Sequence, residues 1–113
     1  MACLFCSIAD HSVPGDIVYE DDDVLAFRDI APQAPCHILI IPKHHIATLN
    51  DIEAGDAALL GHMIVIARQI AAAEGLAENG FRLNFNCNAH GGQTVFHIHL
   101  HLLGGRQMHW PPG

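Results

Sequence analysis

The chain has 113 residues, half of them hydrophobic and 15% charged, with a formal net charge of -7. This length suits a single domain, residues 1–113, with a core of its own, and the absence of a basic stripe excludes duplex nucleic acid as a partner while leaving a small nucleotide open. No apolar run is long enough to span a bilayer, so no membrane association is expected, and the N-terminus lacks the basic segment of a secretory signal.

The four cysteines, Cys3, Cys6, Cys36 and Cys87, do not form a disulfide framework and point to reduced thiols in a cytoplasmic setting. Cys3 and Cys6 form a C-x-x-C, which admits three readings: a redox pair without the preceding strand such motifs need, half of a zinc site, or two buried thiols. Phe5 to Ala9 suits a short helix ended by Pro14-Gly15. Ile17 to Glu20 is short and β-prone, and Asp21-Asp22-Asp23 reads as a solvated hairpin turn. Val24 to Asp29 reads as a strand, and an Asp at its end can accept from a ribose diol or cap a turn. Ala31 to Pro35 is a loop, because two prolines within it defeat helix and ladder alike. His37 to Pro42 is an apolar strand buried on both faces, followed by Lys43-His44-His45.

From Asp51 to Glu74 the pattern becomes helical, with Leu60, Met63, Ile64, Ala67, Ile70 and Ala71 on one stripe. Asp51, Glu53 and Asp56 crowd its start, and Gly75 is a stop. His62 lies beside the stripe and reads as structural. Phe81 to Asn86 is a further strand. Val95 to Leu103 follows a flexible polar turn, His90-Gly91-Gly92-Gln93-Thr94, and an antiparallel pairing of the two strands would put Asn86 beside His97, His99 and His101. In a strand these three alternate histidines share one face, with Ile98, Leu100 and Leu102 on the other. The tail, Gly104 to Gly113, carries a tryptophan, Trp110, that needs a docking place.

Three imidazoles on one face suit either a zinc ion with an open position or nucleophilic catalysis. The glycine turn favours the second. Its backbone N–H groups, with the Gln93 amide and Thr94 hydroxyl, suit phosphate oxygens and the charge that develops on them.

The string His97-x-His99-x-His101-Leu102-Leu103, preceded by Gly92-Gln93-Thr94-Val95, resembles the histidine-triad (HIT) superfamily, and most closely its nucleotide-binding Hint branch. The resemblance runs over nearly the whole chain, including Leu25 to Ile30, Pro32 to Pro35, Ile41-Pro42-Lys43 and the ending Gly104-Gly105-Arg106-Gln107-Met108-His109-Trp110-Pro111-Pro112-Gly113. It implies an α+β fold, an antiparallel sheet of about five strands with a long helix. It also implies a homodimer in which residues 104–113 of one subunit reach the other's active site, which would occupy Trp110. The implied activity is hydrolysis of the P–N bond of purine nucleoside 5′-phosphoramidates (AMP-NH2 or AMP-lysine type) through a nucleotidyl-histidine. His99 would be the nucleophile and His101 the acid and phosphate donor. His97 would orient the nucleophile, and His37 would stand behind them. Asn86, Gly92, Gln93, Thr94 and Val95 match phosphate-binding positions, Asp29 the ribose acid, and Phe5, Ile8, Phe27 and Ile30 the base pocket, for AMP or GMP.

The same resemblance places a structural zinc on Cys3, Cys6, His45 and His97, as in bacterial members, with no cofactor needed for catalysis. Asn88 stands where many members have Gly, and Asn tolerates a left-handed backbone. Two other functions compete: a nucleotide-binding regulatory or interaction module with vestigial catalysis, and a dinucleoside-polyphosphate hydrolase.

Overall fold

Alternation of apolar residues along three neighbouring strands sorts the molecule into two halves. A computed structural model of the chain describes residues 3–113. Its elements are α1 (Leu4–Ala9), β1 (Ile17–Glu20), β2 (Val24–Arg28), β3 (Cys36–Pro42), α2 (Ala57–Ala73), β4 (Phe81–Asn84), α3 (Asn88–Gly91) and β5 (Leu100–Gly104). The strands form one antiparallel sheet in the order β1-β2-β3-β5-β4. The expected α+β architecture with five strands and a long helix is therefore present.

Side chains two apart on a strand share a face. Val24 and Ala26 of β2, Ile38 and Ile40 of β3, and Leu100 and Leu102 of β5 pack with Met63, Ile66, Ala67, Ile70 and Ala71 of α2. The intervening Leu25, Phe27, Leu39 and Ile41 form a second cluster with Phe5, Ile8 and Ala9 of α1. All seven residues of β3 are buried, as expected for a central strand covered on both sides. The histidines of β3 and β5, His37 and His101, share the α1 face.

Three expectations need correction. The long helix begins at Ala57, not near Asp51. The Asp51 carboxylate accepts from the Thr48 N–H and hydroxyl, and the Asp56 carboxylate accepts from the Glu53 N–H, so each closes a separate 3-10 turn (Leu49–Asp51 and Ala54–Asp56) ahead of the helix. Ile64 is 48% exposed, and Ile66 takes its place in the buried stripe. Ala54–Ala73 is also long and apolar enough, by length and composition, to cross a membrane, with a mean hydropathy of 1.3. Here one side of it packs on the sheet.

The Asp-rich turn is a hub. Asp21 accepts hydrogen bonds from the Asp23 and Val24 N–H groups, the Tyr19 hydroxyl and His62 Nε2. Burial opposes its charge, but these donors hold the carboxyl below the usual range. His62 thus ties α2 to the β1–β2 turn, the structural role expected of it. Gly75, at φ 77°, closes α2 as expected.

The chain leaves β5 through Gly105, at φ 91°, where a Cβ would lie 2.9 Å from the Pro35 Cβ. The tail therefore rests directly on the 31–35 loop. Trp110 is 85% exposed. Gly105→Ala combines an unfavourable φ with that contact and is expected to lower the unfolding free energy by about 1–3 kcal/mol. Urea denaturation measures it, and an unchanged midpoint would show that the tail is not packed on the loop.

Candidate active site

The histidine string does not form one strand. β5 starts at Leu100, so only His101 of the three lies in the ladder. Upstream, the Ile98 N–H donates to the Ile46 carbonyl at 2.7 Å, and His97, fully buried, turns towards the N-terminus. The three side chains accordingly have three different settings.

His97 Nε2 lies 2.7 Å from the Pro42 carbonyl. A carbonyl only accepts, so Nε2 carries the proton and Nδ1 is a lone pair. That lone pair faces Cys3 Sγ at 3.4 Å, Cys6 Sγ at 3.5 Å and His45 Nδ1 at 3.2 Å, and His45 Nδ1 lies 3.3 Å from Cys6 Sγ. These four ligand atoms lie within 4.8 Å of one another. A tetrahedral zinc with bonds of about 2.0–2.3 Å would space its ligands roughly 3.3–3.8 Å apart. The donor set and its spacing fit such an ion. Burial lowers the His97 pKa against the opposing Pro42 hydrogen bond, which favours the neutral ring that a ligand must be.

His99 is 8% exposed, and its Nδ1 lies 2.8 Å from the His97 carbonyl. By the same reasoning the proton of the neutral ring sits on Nδ1 and its Nε2 is a lone pair. Phe5 meets the ring edge-to-face, with centroids 5.0 Å apart and planes at 88°.

His101 is paired through register. In the β3–β5 ladder His37 stands opposite Leu103 and Leu39 opposite His101, which makes the two histidines diagonal neighbours on one face. His37 Nε2 lies 2.9 Å from His101 Nδ1. The Gln33 N–H donates to His37 Nδ1 at 3.1 Å, so the neutral His37 carries its proton on Nε2 and donates to His101 Nδ1. His101 is left with an N–H at Nε2. Burial pushes His101 down to about 4, helped by its histidine neighbours, and also pushes His37 down, so both rings are neutral at pH 7. Asp29 Oδ2 lies 3.6 Å from His37 Nε2. Asp29, His37 and His101 also bring three ligand atoms within 4.8 Å. The 2.9 Å nitrogen pair, however, is a hydrogen bond, shorter than the roughly 3.3 Å that two ligands of one zinc would keep.

His99 and His101 open onto a cleft of about 250 Å³. Phe5, Ile8, Phe27 and Ile30 line its apolar side, as expected, with Asp29, Thr94 and Val95 on the rim. Leu4 and Leu39 complete the apolar wall and were not anticipated. Leu39 was legible as the β3 residue paired with both Phe27 and His101. A larger depression, about 380 Å³, lies beside the tail between Gly75–Gly80 and Gly105–Gln107, but it holds no nucleophile.

Three of the residues expected at the phosphate, Asn86, Gly92 and Gln93, are not in the cleft lining. Gln93 is buried, and its amide is fully engaged: Oε1 accepts from the Asn88 N–H, while Nε2 donates to the Ala47 and Val95 carbonyls. The Gly92 and Gln93 N–H groups cap α3 by donating to the Ala89 and Asn88 carbonyls. The turn is thus a clasped helical turn, not a flexible one, because Gln93 bridges its two ends. Asn88 takes the left-handed backbone, at φ 55°. Asn86 leaves the cleft lining, but its amide lies 3.5 Å from His101 Nε2, and with the proton on that nitrogen the amide faces it with its oxygen and turns its nitrogen to Asn84. Trp110 does not line the cleft.

Residues 10–108 match the model of the HIT domain family. The chain is 57% identical over 105 residues to the purine nucleoside phosphoramidase of Escherichia coli strain K12, covering 93% of this chain and 88% of that protein. It is 56% identical over 110 residues to an uncharacterised HIT-like protein of Synechococcus elongatus, covering 97% and 96%. The crystal structure of a HIT family hydrolase from Legionella pneumophila Philadelphia 1 superposes with a TM-score of 0.97 at 61% identity, covering 99% of this chain and all of that one. The likeness extends through the sheet, both helical layers and the segment that carries the histidines, and the chain belongs to the HIT domain family.

Proposed function

We propose that this chain is a hydrolase of purine nucleoside 5′-phosphoramidates, of the AMP-NH2 or AMP-lysine type. The observation that carries the reading is the complementary protonation of two adjacent rings: His99 presents a bare Nε2 and His101 an Nε2–H, with centroids 4.9 Å apart. The phosphoramidase name of the Escherichia coli relative supports the substrate class.

The base stacks among Phe5, Ile8, Phe27 and Ile30, and Asp29 accepts from the ribose. No lysine or arginine is among the described residues lining the cleft, so the phosphoryl group is held by neutral donors and by His101. Once the anion is bound, its charge favours uptake of a second proton at His101 Nδ1 before the amine leaves, and the His37 Nε2–H bond to that nitrogen yields to admit it. His99 Nε2 attacks the α-phosphorus. The P–N bond breaks as the His101 Nε2 proton passes to the leaving nitrogen, and the amine departs neutral. Water then attacks the nucleotidyl-histidine and returns a proton to His101, freeing His99 and the nucleoside monophosphate. The His97 carbonyl, bonded to His99 Nδ1–H, stabilises the positive charge the nucleophile acquires.

Zinc on Cys3, Cys6, His45 and His97 belongs to the same reading and supplies architecture, since its ligands lie on the side of His97 away from the cleft. So does a homodimer, supported by the unpaired outer edge of β4 and by Ile64 and Val65, exposed at 48% and 44% on α2. Its tails would then bring Trp110 towards the partner's cleft.

With adenosine 5′-phosphoramidate, denaturing quench is expected to trap AMP on the protein, and His99→Ala to abolish the adduct and cut turnover by about 10³-fold or more. Undiminished turnover in that variant would sink the covalent route, and AMP binding without turnover in the unmodified protein would leave a binding module. Chelator-washed protein is expected to retain about one zinc per chain, lost in Cys6→Ser with a fall in melting temperature. A ratio near zero removes the metal. Sedimentation at micromolar concentration should report twice the chain mass, and a monomer there would reject the dimer.

A further inference from the structure

The His37–His101 pair has a support outside the cleft. His37 takes its tautomer from a single backbone donor, the Gln33 N–H, at 3.1 Å. Gln33 lies in an exposed loop between two prolines, Pro32 and Pro35, with no ladder to hold it. What holds it is the tail. Arg106 donates from Nε at 3.2 Å and from Nη2 at 3.0 Å to the one Gln33 carbonyl, and from Nη1 at 3.1 Å to the Gln107 carbonyl. The Gln33 side chain adds a bond from Nε2 to the Ala31 carbonyl at 2.9 Å. Gly105, with no room for a Cβ against Pro35, permits this close approach.

We propose that Arg106 is a positioning residue for His101, acting through Gln33 and His37 to fix which ring nitrogen of His101 carries the proton. The inference rests on the proposed nucleotide site for its consequence, but not for its geometry. With the clamp in place, the chain of donors runs Gln33 N–H to His37 Nδ1, His37 Nε2–H to His101 Nδ1, and His101 Nε2–H into the cleft. Without it, Gln33 is free to turn away. His37 can then hold its proton on Nδ1 and accept at Nε2. His101 moves its own proton to Nδ1, and its bare Nε2 lone pair faces the phosphate. An anion meets a lone pair there and not a donor, so phosphate recognition is what suffers. The apolar cleft wall of Phe5, Ile8, Phe27 and Ile30 includes none of Gln33, His37 and Arg106.

Arg106 is exposed and outside the core, so Arg106→Gln is expected to fold. Nitrogen-15 NMR of ring-labelled, ligand-free protein should show His37 as the Nε2–H tautomer in the unmodified chain and as a mixture in Arg106→Gln. Gln33→Pro, which removes the N–H but keeps the carbonyl for Arg106, should give the same mixture. AMP should bind Arg106→Gln about tenfold more weakly, while adenosine, which lacks the phosphate, changes less than about twofold. Arg106→Lys, with one donor centre in place of a fork, should restore part of the difference. A His37 that keeps a pure Nε2–H tautomer in both Arg106→Gln and Gln33→Pro overturns the inference, as does an equal loss for AMP and adenosine. If the unmodified protein binds neither nucleoside nor nucleotide, the proposed function fails, and the tautomer measurement still decides the clamp.

Discussion

The structure depends on the buried imidazole of His97 more than on any other side chain. One ring nitrogen is bonded to the end of β3 through the Pro42 carbonyl, and the other faces the thiols at the start of α1 and the ring of His45. Its own carbonyl then accepts from the His99 Nδ1–H. Three segments distant in sequence, the N-terminus, the chain after β3 and the histidine string, meet on this residue. A fully buried polar ring is tolerated because each polar atom has a partner. The first histidine therefore connects the core to the chemistry without entering the cleft.

Much of this was legible in the sequence, because periodicity is a local property. The strands around Ile17, Val24, His37 and Phe81, the loop with its prolines, and the long helix all appear within a residue or a few of where composition put them. What failed did so for tertiary reasons. The strict alternation from His97 to Leu103 reads as one strand, but the ladder begins only at Leu100, since Ile98 bonds to Ile46 and His97 is drawn away by the cysteines. The helix start was misplaced because Asp51 and Asp56 favour helix N-termini in general, and here each caps a short turn of its own. Gln93 looked like a phosphate ligand because its amide is polar. Its partners, Ala47 and Asn88, come from a segment whose approach no local pattern announces. Family resemblance supplied what periodicity does not: the expectation that Cys3, Cys6, His45 and His97 converge, and their ligand atoms do lie within 4.8 Å of one another.

The electrostatics of the cleft run against the common arrangement for a phosphate site. The chain has five lysines and arginines in all, and those in the sheet or at its ends are engaged elsewhere: Arg28 with Glu74, Lys43 with Glu20 and Arg82 with the His109 carbonyl. The cleft itself is lined by His99 and His101, and burial pushes His101 down to about 4. A site of neutral donors would bind an anion less tightly than a basic one and release it more readily.

The parity of β3 and β5 sorts the two sides of the molecule. Odd-numbered positions, His37, Leu39 and His101, face α1 and the cleft, and even-numbered ones, Ile38, Ile40, Leu100 and Leu102, face α2. Inserting or deleting one residue in either strand would exchange the two sets, sending imidazoles under the long helix and leucines into the cleft. In the language of inheritance, these strands can drift by substitution but not by single-codon changes in length. The lengths of β3 and β5 are therefore more tightly constrained than most of the side chains they carry, and variation in chain length among descendants belongs in the connections at Asp10–Asp16 and Gly75–Gly80.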